Sequence, residues 1–177
     1  MAEYSDPLIQ NIVVKLLCVV DPNVKEGLGH MRYIRLLQEI ARFIVDDPNK
    51  GNPAIYINKK ITMNAIVTMV NSQAISLKAE KGNTIVVSPG ALDKKPIIYG
   101  ILLHEMAHAW LDTCGAANTE ANAYKFEIQW VCTLASKSNH EFSKEMKDGL
   151  DAYFEKRKNQ SGWPADQVAW EKSRLKL

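Results

Sequence analysis

The spacing of hydrophobic residues predicts two helices in the first quarter of the chain. Apolar residues run through positions 8–20 and stop at the turn signal "DPN", residues 21–23, which indicates a short buried helix. Through positions 33–44 apolar residues recur at the spacing of one helix face, which predicts a second, longer helix lying on the core. The polar segment "DDPNKGNP", residues 46–53, is the expected loop after it.

Three short apolar runs predict strands in the middle of the chain: "AIYIN" at 54–58, "AISLKA" at 74–79 and "TIVVS" at 84–88. The last two flank "EKGN", residues 80–83, which favours a hairpin between them. The stretch 61–70 fits a helix or a strand equally well. A small sheet is therefore expected between two groups of helices.

The second half of the chain predicts helices. "YGILLHEMAHAWLDTCG", residues 99–115, forms an apolar helix that ends at Gly115, a helix restarts near Thr119, and a further helix covers 140–158. The tail 161–177, with two of the four tryptophans, is expected to pack as a C-terminal helix, with docking of a partner as the alternative. This order of elements predicts an α+β fold with a small mixed sheet, and residues 1–177 as a single domain.

Composition narrows the class of protein. A net charge of +2 gives no reason to expect a nucleic-acid or membrane partner. Three cysteines without a CxxC spacing predict no disulfide framework. The acidic N-terminus does not resemble a secretory signal, and no run approaches the ~18 uncharged residues of a membrane span. We therefore expect a soluble chain that is cytoplasmic when made, and export by a route without a cleaved signal stays open.

The long apolar helix carries polar residues in its middle. His104 and His108, two of the chain's four histidines, stand four residues apart, with Glu105 next to the first. Residues i and i+4 lie on one helix face, so both imidazoles can reach one zinc ion at ~2.0–2.1 Å. Glu105 is turned by about 100° and lies beside the metal, where it can activate water as a general base. The alternative is a buried helix with two incidental histidines, each of which would need a polar partner.

A catalytic zinc site needs a third protein ligand, and Glu120 is the preferred candidate. It opens the next helix directly after the chain reversal, where an acidic residue would also suit the first turn without any metal. Glu127 is the fallback ligand. Asp112 lies about 12 Å along the helix from the first histidine, so it is expected as an outer partner of a histidine or as a helix-end group. His30 and His140 carry no motif and are not expected as ligands.

The segments "HEMAH", residues 104–108, and "EANAY", residues 120–124, resemble the zincin metallopeptidases, and among them the gluzincin arrangement. The second segment is similar to regulatory metallopeptidases that cleave phage and stress repressors, and to metallopeptidase domains of bacterial secreted effectors and toxins. The resemblance covers about residues 84–136. It implies a zincin-like fold with Zn²⁺ as the cofactor, and the strand at 84–88 as the sheet edge that receives a peptide substrate. It also implies roles for four residues: His104, His108 and Glu120 as zinc ligands, and Glu105 as base and then acid.

Three alternative functions stay open. "HEMAHAWL", residues 104–111, also resembles the SprT-like proteases that act on DNA-bound proteins, although their downstream His-Gly motif is missing and the chain is not basic. A non-catalytic zinc-stabilised binding module would use the same ligands, but it would gain nothing from a base at Glu105. A helical interaction protein without metal is the third. The residue that stabilises the oxyanion is also open, among Tyr124, His140 and Tyr153.

The expected partners follow from the peptidase hypothesis. A protein or peptide is the expected substrate, and an immunity or inhibitor protein is a candidate partner if the chain is an effector or toxin. A DNA-binding helix-turn-helix extension, which repressor-cleaving relatives often carry, is not evident in the sequence. This favours an effector over a cytosolic regulatory protease.

Overall fold

Six α-helices and a four-stranded mixed sheet make up the part of the chain that the computed structural model describes, residues 2–20, 40–46, 52–58 and 82–177. This is the predicted α+β class. The strands are β1 (Glu3–Tyr4), β2 (Ile40–Val45), β3 (Ala54–Ile57) and β4 (Asn83–Val87). The helices are α1 (Pro7–Leu16), α2 (Pro89–Leu92), α3 (Ile97–Thr113), α4 (Glu120–Ser136), α5 (Ser143–Arg157) and α6 (Ala165–Leu175).

The strand order in the sheet is β1-β2-β4-β3. β1 pairs with β2 and β2 with β4 in parallel, whereas β3 runs antiparallel to β4. The prediction that residues 84–88 form the sheet edge is therefore wrong, because β4 lies between two strands and β3 is at the end of the described sheet. The continuous apolar run Ile85, Val86 and Val87, all buried, is typical of such an interior strand. Residues 74–79, the predicted hairpin partner of β4, lie outside the described residues, as does the segment 61–70.

The second predicted helix is wrong over the residues that the structure describes. Residues 40–45 form β2, in which Ile40 and Phe43 are buried, and residues 33–39 lie outside the described part. A run this short fits both the helical period of 3.6 residues and the strand period of 2. The β-branched and aromatic side chains of "IARFIV" favour the strand. Sequence analysis also missed β1, where Tyr4 stacks on Phe43 with ring centroids 5.2 Å apart.

The first predicted helix is confirmed. α1 begins after Asp6, whose side chain accepts a hydrogen bond from the backbone N–H of Leu8, and Pro7 occupies the first turn. A 3₁₀ turn, Leu17–Val19, continues it to the expected end. Its buried face, Ile9, Ile12, Val13 and Leu16, joins the main hydrophobic core.

α3 lies in the centre of the molecule, and from Ile98 to Leu111 every residue except His108 is buried. Its end is a Schellman motif: the N–H of Ala116 donates to the carbonyl of Leu111 at 3.0 Å, and Gly115 adopts φ +64°. This confirms Gly115 as the predicted terminator. The reversal brings α4 back against α3, which is what places the start of α4 beside the histidines.

The last two helices, α5 and α6, pack against α4. α6 confirms that the tryptophan-containing tail forms a C-terminal helix. The predicted helices near Thr119 and over 140–158 correspond to α4 and α5. Among the described residues, no helix is long and apolar enough to cross a membrane.

Candidate metal centre

Three predicted ligands converge at the α3–α4 contact. His104 and His108 direct their Nε2 atoms to one point at a mutual distance of 3.2 Å. The two carboxylate oxygens of Glu120, the first residue of α4, lie 3.2 Å from His104 Nε2 and 3.2 Å from His108 Nε2. One ligand atom from each residue lies within 4.8 Å of the others, so this group could hold a metal ion. His104 is buried, His108 partly buried and Glu120 exposed, so the group opens to solvent on the Glu120 side.

The outer nitrogens of both imidazoles are occupied, and this makes the group fit a cation. Nδ1 of His104 lies 2.7 Å from Oε2 of Glu127, and Nδ1 of His108 lies 2.6 Å from Oδ1 of Asn118. An acceptor at Nδ1 assigns the ring hydrogen to that atom and leaves the lone pair on Nε2. Two such lone pairs beside a carboxylate repel one another unless a proton or a metal ion lies between them.

Without a metal, protons take that place. Burial opposes the charged form of His104, but the hydrogen bonds to Glu120 and Glu127 outweigh it and raise its pKa to about 9. The pKa of His108 is also raised, because its bonds to Glu120 and Asn118 outweigh burial. The same hydrogen bonds hold the pKa of Glu120 well below its usual range. Without a metal, both histidines are therefore protonated more readily than a free imidazole, next to the Glu120 carboxylate.

Glu105 lies next to this group and outside it. Its buried Oε2 accepts a hydrogen bond from the backbone N–H of Tyr56 on β3, at 2.7 Å. Burial raises the pKa of Glu105, although the neighbouring histidines and the Tyr56 N–H act against that shift. A buried carboxylate beside the proposed ligands is suited to take up and return a proton. No pattern in the sequence predicted the Tyr56 contact, because it depends on how β3 packs on α3.

Glu127, the fallback ligand, has a different position from the one expected. Its carboxylate contacts Nδ1 of His104, on the opposite side of the ring from the Nε2 that faces Glu120. Glu127 is 0% exposed and binds Arg157, with Nε–Oε1 at 2.9 Å and Nη2–Oε2 at 2.7 Å, and also Tyr153. Glu127 therefore lies outside the ligand group.

A chain of polar side chains supports His108 from the other side. Asn118 donates from Nδ2 to Oδ1 of Asp112 at 3.0 Å, which fixes its Oδ1 toward the histidine. Asn58, directly after β3, donates to the other oxygen of Asp112 at 2.6 Å. Asp112 thus reaches His108 through Asn118, one step further out than predicted. Sequence analysis missed Asn118; its only signal was its place immediately before the Thr119 cap of α4.

The structure separates the three residues considered for the oxyanion. The ring of Tyr124 lies 5.0 Å from that of His104, and burial, followed by the charge of Glu120, raises its pKa, so the phenol keeps its proton. The hydroxyl of Tyr153 donates to Glu127. His140 bonds the carbonyl of Lys15 at 2.8 Å and accepts from the N–H of Phe142, away from the group. Of the three, only Tyr124 adjoins the candidate metal centre. His30 lies outside the described residues.

Comparison with known proteins adds no assignment. No family model, curated protein or solved structure matches the chain. Function has to be inferred from the chemistry of the site, because a fold alone does not specify it.

Proposed function

We propose that this chain is a zinc-dependent endopeptidase with a zincin-like fold and a gluzincin-like site. The observation that carries the proposal is the convergence of two imidazole Nε2 atoms and one carboxylate, with a second, buried carboxylate beside them. Two nitrogens and one oxygen are a usual ligand set for catalytic zinc, which keeps one further position open. Because the Glu120 side chain is exposed, water and substrate can approach the site from that side.

In the proposed reaction, water attacks the scissile carbonyl carbon and the C–N bond breaks. Zinc held by His104, His108 and Glu120 would supply Lewis-acid activation of both water and carbonyl. Glu105 takes the proton from the attacking water and delivers it to the leaving amine, for which its raised pKa is suited. Tyr124, which keeps its phenolic proton beside the site, is the donor we assign to the oxyanion.

β3 is the strand we assign to substrate binding. It lies at the end of the described sheet and reaches the site through the Tyr56 N–H bond to Glu105. An extended peptide added along its outer edge would pass directly in front of the proposed base. This assignment replaces the one implied for residues 84–88, since β4 has neighbours on both sides.

A non-catalytic zinc module is the main competing function. It would need the three ligands and their outer partners, but a buried carboxylate at Glu105 would only add an unfavourable desolvation free energy. For this reason the peptidase is favoured. We further propose a protein or peptide substrate and a role as a bacterial effector or toxin. An SprT-like protease remains the alternative within the same chemistry.

The test is Glu105→Gln, assayed for zinc content and for cleavage of fluorescently labelled casein. We expect one zinc per chain in both proteins and cleavage only by the wild type, because the amide cannot accept the proton. The exposed Glu145→Gln is the matched control and should cleave normally. Equal cleavage by wild type and Glu105→Gln would refute the mechanism, and failure of the wild type to bind zinc would refute the metal site.

A further inference from the structure

Glu127 is bound by Arg157 and Tyr153 and also lies against His104, and this combination indicates a specific role. We infer that Glu127, locked by Arg157 and Tyr153 of α5, is a positioning residue that holds His104 in the geometry and tautomer needed for the metal. This inference rests on the proposed function, because it concerns the zinc site of that peptidase. It makes the affinity for the metal depend on the docking of α5, although α5 supplies none of the proposed ligands.

The carboxylate of Glu127 has no freedom to turn. Oε1 accepts from the Tyr153 hydroxyl and from Arg157 Nε, while Oε2 accepts from Arg157 Nη2 and contacts His104 Nδ1. Three hydrogen bonds and the contact to His104 together occupy the four acceptor positions that a carboxylate offers. The two parallel bonds from the guanidinium fix the plane of the group, so the contact to His104 has a defined direction.

A purely structural ion pair does not explain this arrangement. The Arg157 fork and the Tyr153 hydroxyl already satisfy Glu127, and burying the pair brings little net stability compared with apolar side chains. Yet Oε2 of Glu127 lies 2.7 Å from His104 Nδ1, a buried atom that makes no well-aligned hydrogen bond to any of the described residues. The carboxylate therefore serves the histidine as well as the helix contact.

The α3 sequence makes room for this network one turn before His104. A Cβ atom added at Gly100 would lie 2.1 Å from the hydroxyl oxygen of Tyr153, so any larger residue would exclude that side chain. Tyr153 is itself fully buried. The network thus joins α3, α4 and α5. We call its four residues the Glu127 lock: Gly100, Glu127, Tyr153 and Arg157.

The two histidines are supported unequally. His104 has a charged, fully buried carboxylate at Nδ1, whereas His108 has the neutral amide of Asn118. A carboxylate partner raises the donor strength of an imidazole more than an amide does, and loss of such an outer partner costs roughly 10–100-fold in metal affinity. We therefore expect loss of the partner of His104 to weaken metal binding more than loss of the partner of His108.

The test compares the zinc affinity of Glu127→Gln with that of Glu171→Gln, measured by competition with a chromophoric chelator. Glu171 is an equally suitable control because it is 2% exposed and paired with Arg174, but it lies on α6 and contacts neither histidine. We expect zinc binding to weaken about 10–100-fold in Glu127→Gln and to stay unchanged in Glu171→Gln. The visible spectrum of the cobalt(II)-substituted protein should shift only in Glu127→Gln, which a loss of stability alone would not cause.

The outcomes separate this inference from the proposed function. If the wild type binds no zinc, the proposed function fails and the inference with it. If the wild type binds zinc and both variants bind it equally well, or both lose it to the same extent, the inference alone is overturned. Should Glu127→Gln not fold, Tyr153→Phe decides: it removes one bond of the Glu127 lock, and unchanged affinity and an unchanged cobalt spectrum would overturn the inference.

Discussion

The backbone N–H of Tyr56 donates a 2.7 Å hydrogen bond to Oε2 of Glu105, and this bond joins the end strand of the described sheet to the proposed general base. It orients a buried carboxylate that has the histidines on one side and the sheet on the other. The N–H also lowers the pKa of Glu105 against the upward effect of burial. Strand and base are thus one unit of the proposed site.

Replacing Tyr56 by proline removes that N–H and should raise the pKa of Glu105 further. The base must be deprotonated to accept a proton, so the acidic limb of the pH–activity profile should move to higher pH. Tyr56→Ala is the matched control, since it removes the side chain but keeps the N–H. The pH dependence of kcat/KM on labelled casein is the measurement. An acidic limb at the same pH in the proline variant would contradict the role assigned to the bond.

Glu120→Ala should abolish stoichiometric zinc binding. The variant removes a ligand, so its affinity should fall by more than the roughly 10–100-fold that loss of an outer partner costs. Metal content after dialysis is the measurement, with one zinc per chain expected in the wild type. Zinc retained by Glu120→Ala would show that the third ligand lies elsewhere.

Asn118→Ala should weaken zinc binding by about tenfold, the lower end of the range for an outer partner. The change leaves Nδ1 of His108 without its acceptor and breaks the link to Asp112. Asn122→Ala is the matched control, because Asn122 lies in the first turn of α4 and its side chain donates to the carbonyl of Ala117 rather than to a histidine. Equal zinc affinities in the two variants would argue against a specific role of Asn118.

The stability of the metal-free protein should fall as the pH rises from about 6.5 to about 9. The pKa of His104 is raised to about 9 in the folded chain, so the stabilisation from its protonated form is complete below its unfolded value near 6.5 and is lost as the pH passes 9. Zinc replaces that proton, so the zinc affinity should rise over the same window. Urea unfolding at a series of pH values tests the first part. Glu120→Gln should reduce the slope, and an unchanged slope would contradict the assignment.

Gly100→Ala should destabilise the protein by ~1–3 kcal/mol, since the added methyl group would overlap Tyr153 in a filled core. Gly90→Ala is the control: its Cβ would lie 3.9 Å from the Ser88 hydroxyl, so the substitution should be neutral or stabilising by up to ~1 kcal/mol. Denaturant unfolding measures both. If Gly100→Ala proves as stable as the wild type, the space between α3 and Tyr153 is larger than the structure shows.

The three proposed ligands, His104, His108 and Glu120, could be predicted from the sequence because their positions depend on local geometry alone. A four-residue spacing on a helix places His104 and His108 on one face wherever that helix lies. Gly115 ends α3 and Thr119 caps α4. The chain reversal that places Glu120 beside the histidines therefore also depends on residues close to it in sequence. Short-range rules determined these features, and the structure agrees with them.

The partners of His104 and Glu105 could not be predicted from the sequence in the same way. Glu127 was open to interpretation as a ligand, and only the packing of α5 shows that it faces the other nitrogen of His104. The contact of Tyr56 with Glu105 depends on strand order, which local patterns do not specify.

The sequence by itself determined the helices of the second half, the histidine pair with its neighbouring glutamate, and the turn that brings Glu120 to them. Tertiary structure alone decided that residues 40–45 form a strand, that β3 rather than β4 ends the described sheet, and which partner holds each histidine. The physical reason is the separation in sequence between the residues that interact. Helix periodicity and capping act between residues a few positions apart, whereas strand pairing and the hydrogen bonds of buried side chains join residues tens of positions apart, and their free energies depend on the packing of the whole domain.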